Sequence, residues 1–244
     1  MHDNHFGLSD DKLAHARALH EQNIVIDMLF QGPIGTYSLP EELEDELLAL
    51  AREAEPCDEA RQVGHASDLI RDWYTRGRLA DLYRQCWEES GITAACRQLK
   101  LTSKESLLQS IAQVQAEFDN KPWLIKARTA ADIERAHAEG KRAGIVTSQE
   151  AAGYGKDLVL LEMAWGFGLR VQQLTYNNHN LIGAGCMEPN DAGLSKFGWE
   201  FVAKCNELGI VVDTSHCGRQ TTLDACTYSS EPVVATHTGA SGVF

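Results

Sequence analysis

The sequence is short of basic residues: 22 lysines and arginines stand against 35 aspartates and glutamates in 244 residues, a formal charge of -13. That balance excludes a nucleic-acid or anionic-membrane partner, since both need a basic face. Much of the acid is local, with nine carboxylates between Glu41 and Glu59, and reads as a solvated helix face. Long apolar runs are missing too, with nothing near the ~18 residues of a membrane helix. The N-terminal Met1-His2-Asp3-Asn4-His5 lacks the basic-then-apolar order of a signal peptide. Seven cysteines (57, 86, 96, 186, 205, 217 and 226) are scattered and odd in number, with no CxxC pair. This argues against a disulfide framework and against a Cys-based zinc ribbon. Neither GxGxxG nor GxxxxGK[ST] occurs, so nucleotide binding has no support. These absences describe a soluble, cytoplasmic protein, and its 43% hydrophobic content suffices for one core in a single domain, residues 1–244.

What the chain does have is alternation. Helical patterns are expected at 9–22, 40–54, 67–89, 103–118, 130–140, 157–167, 195–207 and 218–229. Short β-branched or apolar runs between them predict six strands, starting near 23, 91, 143, 170, 209 and 232. Ser103-x-x-Ser106 is a weaker helix start than a capping box. Strands alternating with helices of this length indicate a parallel sheet with helices outside.

Two of these strands end on histidine. Gly209-Ile210-Val211-Val212-Asp213-Thr214-Ser215-His216 and Pro232-Val233-Val234-Ala235-Thr236-His237-Thr238 flank one helix, a β-α-β unit. Both imidazoles then lie at the C-terminal ends of neighbouring strands, where α/β barrels build active sites. Neutral imidazole is the commonest metal ligand, so His216 and His237 are candidate ligands to one ion. The plain alternative is a pair of histidines capping strand ends. Strand alternation puts Asp213 opposite His216, packed outside the barrel. The long polar loop 176–193 is a candidate active-site rim or lid. Cys217 beside His216 is a weak candidate nucleophile, because adjacency along a strand is not contact.

Read together, Gln173-Leu174-Thr175-Tyr176-Asn177-Asn178-His179-Asn180, Gly193-Leu194-Ser195-Lys196-Phe197-Gly198, Asn206 to His216 and Pro232 to His237 resemble the membrane (renal) dipeptidase family of zinc peptidases. The resemblance covers residues 130–240 well. It implies a (β/α)8 TIM-barrel fold, of which about six of the eight units are present, hydrolysing dipeptides or related small amides with a metal-activated water. It implies zinc, one ion or two, with His216, His237 and an acid after the third strand as ligands; Glu150 is the carboxylate there, with Gln149 the alternative in strict register. Tyr176 stands where the family places a substrate-binding histidine, and His179 follows three residues on. Either could hydrogen-bond the scissile carbonyl oxygen as charge develops. The family's His-x-Asp pair after the first strand is replaced by Leu29 and Gln31, leaving Asp27 nearby. Its distal arginine and late aspartate would fall beyond Phe244. The implied partner is a small peptide, and the implied oligomer a homodimer. A rival reading is a non-catalytic dipeptidase-like scaffold that binds a peptide, a partner or one structural metal ion.

Overall fold

A computed structural model describes residues 7–29, 41–56 and 58–239. Nine helices among these residues are α1 (Asp10–Gln22), α2 (Glu41–Ala54), α3 (Glu59–Thr75), α4 (Ala80–Ser90), α5 (Lys104–Asn120), α6 (Ala130–Ala138), α7 (Leu158–Phe167), α8 (Lys196–Leu208) and α9 (Arg219–Tyr228). The strands are β1 (Ile26–Asp27), β2 (Ala94–Gln98), β3 (Leu124–Ala127), β4 (Arg142–Ser148), β5 (Val171–Gln173), β6 (Val211–Asp213) and β7 (Val233–Val234).

All pairings are parallel, in the order β1-β2-β4-β5-β6-β7, with β3 joined to the early part of β4. The six strands of this path are the six expected. The sheet is curled, since Met28 after β1, Cys96 on β2, Thr147 on β4, Asp213 on β6 and Thr236 after β7 line one narrow cavity. Side chains from the first and last strands can meet only if the sheet bends round on itself, as in part of a β/α barrel. β4 is buried from Ala143 to Ser148, the burial on both faces expected of a central parallel strand.

The main core lies between the convex face and the helices, where Val146, Leu169 and Val212 pack with Leu107, Leu161, Phe201 and Cys205. A second core joins α2, α3 and α4 around Leu47, Tyr74, Tyr83 and Trp87. Four corrections to the sequence reading follow. The expected helix 67–89 is two helices, α3 starting earlier at its Asp58 cap, and α4 after a turn at Gly77, where a Cβ would strike the Trp73 backbone. β3 adds a strand: it is four residues long, with a half-buried Lys126, and carries little alternation. Ser103 and Ser106 do form a reciprocal capping box, serine replacing the usual acid.

The fourth correction bears on the site. Asp213 faces the interior, lining the cavity above, whereas Val212 points outward into the helical core. The expected alternation assumed a strand running to His216. Pairing stops at Asp213, so the two-residue period ends before His216, whose φ of 60° is not a strand conformation.

Candidate active site at the strand ends

The C-terminal ends of β4 to β7 bring together Gln149, Tyr176, His216 and His237. The rings of His216 and His237 lie 5.0 Å apart between centroids, crossed at 64°. Tyr176 stacks on His216 at 4.2 Å and 22°. An open depression beside them is lined by both histidines with Cys186, Thr214, Cys217 and Thr238.

Asp213 is the anchor of this arrangement, and the sequence reading did not assign it that role. Its buried carboxylate accepts from Ser215 N (2.9 Å), Ser215 Oγ (2.7 Å), Thr236 N (3.1 Å) and Thr236 Oγ1 (2.6 Å). It thereby ties the loop after β6 to the loop after β7. Ser215 Oγ in turn accepts from His237 N at 3.0 Å. Loop 176–193 contributes from the other side: Cys186 N donates to His216 O at 2.7 Å, and Gly185 bridges Cys217.

These contacts determine the imidazole tautomers. Thr236 gives its hydroxyl proton to Asp213, so it accepts at 2.8 Å from His237 Nδ1–H. The lone pair of His237 is therefore on Nε2, where it meets Gln149 Nε2 at 3.1 Å. His216 Nδ1 donates to Asn177 Oδ1 at 2.8 Å, leaving its Nε2 as an acceptor. Burial, and secondarily the nearby His237, push the His216 pKa below its ordinary value, against the opposing pull of Asp213.

Glu150 is not brought to the histidines. Its Oε1 accepts from Ala151 N (2.7 Å), Ala152 N (2.8 Å) and Asn180 Nδ2 (2.9 Å), capping the short 3-10 turn Ala152–Tyr154. The expected Glu150–His216–His237 ligand set is thus not assembled; Gln149 is the residue at His237. His179 is exposed at the rim, paired at 3.0 Å with Glu188. Asp27 accepts from Leu29 N at 2.8 Å, a local turn, and Leu29 is exposed. Gln31 lies outside the described residues. Among the described residues, no three His, Cys, Asp and Glu side chains converge to hold a metal ion.

The donor chemistry agrees. A catalytic zinc centre takes three protein ligands and keeps a fourth position open. Here two imidazoles converge, one Nε2 is already hydrogen-bonded, and the third neighbour is a neutral carboxamide. These side chains do not fit the zinc site that the resemblance implies.

Comparison with known proteins gives the family. The model for "Membrane dipeptidase (Peptidase family M19)" matches residues 13–244. This chain belongs to the membrane dipeptidase family. Among solved structures, an amidohydrolase from Pseudomonas aeruginosa is 26% identical, over 91% of this chain and 55% of that one, with a TM-score of 0.64. The dipeptidase AC, a metallopeptidase, is 21% identical over 90% of this chain and 63% of its own, again at 0.64. A Rhodobacter sphaeroides metallopeptidase, liganded with a phosphinate mimic of L-Ala-D-Ala, is 21% identical over 90% and 66%, at 0.57. The chain thus spans 55–66% of the length of these structures. Among the described residues, no helix is long and apolar enough to cross a membrane.

Proposed function

We propose that this dipeptidase-family chain binds dipeptides or related small amides in the depression beside His216 and His237. Family membership supports the ligand class. The polar groups support it independently, because His216 Nε2, on the wall of the depression, is left as an acceptor once Nδ1 donates to Asn177. The ammonium and amide N–H groups of a small peptide supply the complementary donors.

Two readings of the chemistry follow from the sequence: hydrolysis by a zinc-activated water, and binding by a non-catalytic scaffold. The observation that favours the second is Gln149, whose amide occupies the His237 lone pair that a metal would need. Leu29, standing where the resemblance calls for a histidine ligand, points the same way. Within a family of hydrolases, this chain is therefore read as a small-peptide-binding member. Tyr176 supplies an aromatic wall and a hydroxyl, and the Glu188–His179 pair forms part of the rim.

The test is calorimetric titration with L,L- and L,D-dipeptides, run beside an amine-release assay with and without added zinc. Binding that is lost in His216→Ala, with no turnover, is the expected result. Zinc-stimulated turnover abolished by a His216→Ala, His237→Ala double variant would restore the hydrolase reading. The absence of both binding and turnover would refute the small-peptide site.

A further inference from the structure

We infer that the amide pair Gln98–Gln149 takes the place of a metal ion in holding His237. The inference concerns the site of the proposed function, but it rests on hydrogen bonding and not on the identity of the ligand. The hydrogen bonds run in one direction. Gln98 Nε2 donates to Gln149 Oε1, Gln149 Nε2 donates to His237 Nε2, His237 Nδ1 donates to Thr236 Oγ1, and Thr236 Oγ1 donates to Asp213 Oδ2. Every donor in the series meets an acceptor, and the buried carboxylate terminates it. Reversing any one amide or imidazole would set two donors, or two acceptors, against each other.

The geometry also shows what the amide replaces. Two ligands each about 2.05 Å from a zinc ion at a tetrahedral angle lie about 3.3 Å apart. Gln149 Nε2 and His237 Nε2 are 3.1 Å apart. The carboxamide therefore occupies the position from which a carboxylate oxygen would share an ion with His237. In place of a metal bridging two lone pairs, an N–H bridges amide nitrogen to imidazole nitrogen. The main chain at 149 is fixed for this purpose, since its carbonyl accepts from Gln173 Nε2 at 2.6 Å.

The prediction is that Gln149→Glu converts the site into a metal site. A carboxylate facing the bare His237 Nε2 is repelled unless a proton or a metal ion lies between them, and His216 is close enough to join a metal ion there. Cobalt(II) titration at pH 8 reads this directly, through the visible absorption of a low-symmetry site. The variant is expected to take up one equivalent, and the unmodified chain none above background. Proton-detected 15N spectra of histidine-labelled unmodified protein should show His237 with Nδ1 protonated and Nε2 bare, unchanged by chelator. Three results would overturn the inference: stoichiometric cobalt uptake by the unmodified chain that is lost in His216→Ala, His237→Ala; a folded Gln149→Glu that binds no metal; or His237 protonated on Nε2. If Gln149→Glu does not fold, the spectra and the titration of the unmodified chain decide alone. Dipeptide affinity is measured separately, so failure of the ligand reading leaves these outcomes distinguishable.

Discussion

Removing the Asp213 carboxylate should both destabilise the chain and release the two histidine loops. In Asp213→Ala, the Ser215 and Thr236 hydroxyls can rotate toward other acceptors, but the backbone N–H groups of those residues cannot. An unsatisfied buried donor costs about 1–3 kcal/mol, so the pair costs roughly 2–6 kcal/mol. Relief of the carboxylate's own desolvation offsets part of this, which places the net loss near about 3 kcal/mol. For a domain of this size, 1 kcal/mol moves Tm by about 2–4 °C, so the variant should melt roughly 9 °C lower. Asp213→Asn keeps Oδ1, with its three acceptor contacts, and opposes only the Thr236 hydroxyl at Oδ2. It should lose no more than about 1 kcal/mol, one ordinary hydrogen bond. Thermal unfolding followed by circular dichroism measures both. If Asp213→Ala and Asp213→Asn melt within 2 °C of the unmodified chain on this scale, the carboxylate is not the anchor and the reasoning fails.

Three further outcomes can be checked on the same protein. Buried Glu117 meets Lys121 Nζ at 3.0 Å, Tyr83 Oη at 3.0 Å and Arg97 Nε at 3.7 Å; burial would raise its pKa, but the charges of Arg97 and Lys121 outweigh burial and hold it lowered. Its contribution is therefore complete above the unfolded value of about 4.3 and is lost as pH falls through the lower folded value, so Glu117→Gln should flatten the acid limb of urea midpoints below about pH 4.3. Burial pushes the Cys217 thiol up to about 11, and Thr175 Oγ1 donates to its sulfur. At pH 8 iodoacetamide should label exposed Cys186 and Cys226 well before Cys217, and rapid labelling of Cys217 by mass spectrometry would contradict its half-buried placement and raised pKa. Gly198, in the first turn of α8, lies so close to the Ile182 carbonyl that a Cβ would overlap it; Gly198→Ala should cost about 1–3 kcal/mol as an overpacking change, read from urea unfolding.

The path of six strands was legible in the sequence because parallel β/α repeats impose a period that survives a few misplaced ends. Ile145, Val146, Leu169 and Val212 are buried, and each falls in or beside an expected strand. What was lost lay where local pattern and tertiary constraint diverge. β3 shares an edge of β4 with β5, pairing at Leu124–Ala127 while β5 takes the end of the same strand, and no two-residue alternation marks so short a segment. His216, His237 and Tyr176 come together because they end strands or follow them directly. Glu150 misled because a carboxylate in the right loop has two uses. Backbone amides at the start of the Ala152 turn capture it, and only the fold reveals which use holds. Asp213 was misassigned because alternation was carried three residues beyond the last β-bridge. Gln149 stood only as the in-register alternative to Glu150, and its bonds to Gln98 and His237 exist only in the fold.

His216 shows how the loops around the site hold one of its rings. It is the one non-glycine residue with positive φ among the described residues, at 60°. For a β-carbon-bearing side chain the left-handed conformation costs roughly 1–2 kcal/mol. The contacts that hold it there belong to loop 176–193: Asn177 on Nδ1, Tyr176 stacked on the ring, and Cys186 N on the carbonyl. If the backbone is imposed by those contacts, replacing the imidazole with a methyl group removes the ring interactions and retains the strain. Replacing it with hydrogen removes both. His216→Gly should then be more stable than His216→Ala by about 1 kcal/mol, the reverse of the usual order, in which glycine is the less stable by a similar amount. Urea midpoints of the two variants measure the difference directly. Alanine more stable than glycine would mean that the loop relaxes once the ring is gone, and that the imidazole itself, through its own contacts, sets the turn after β6.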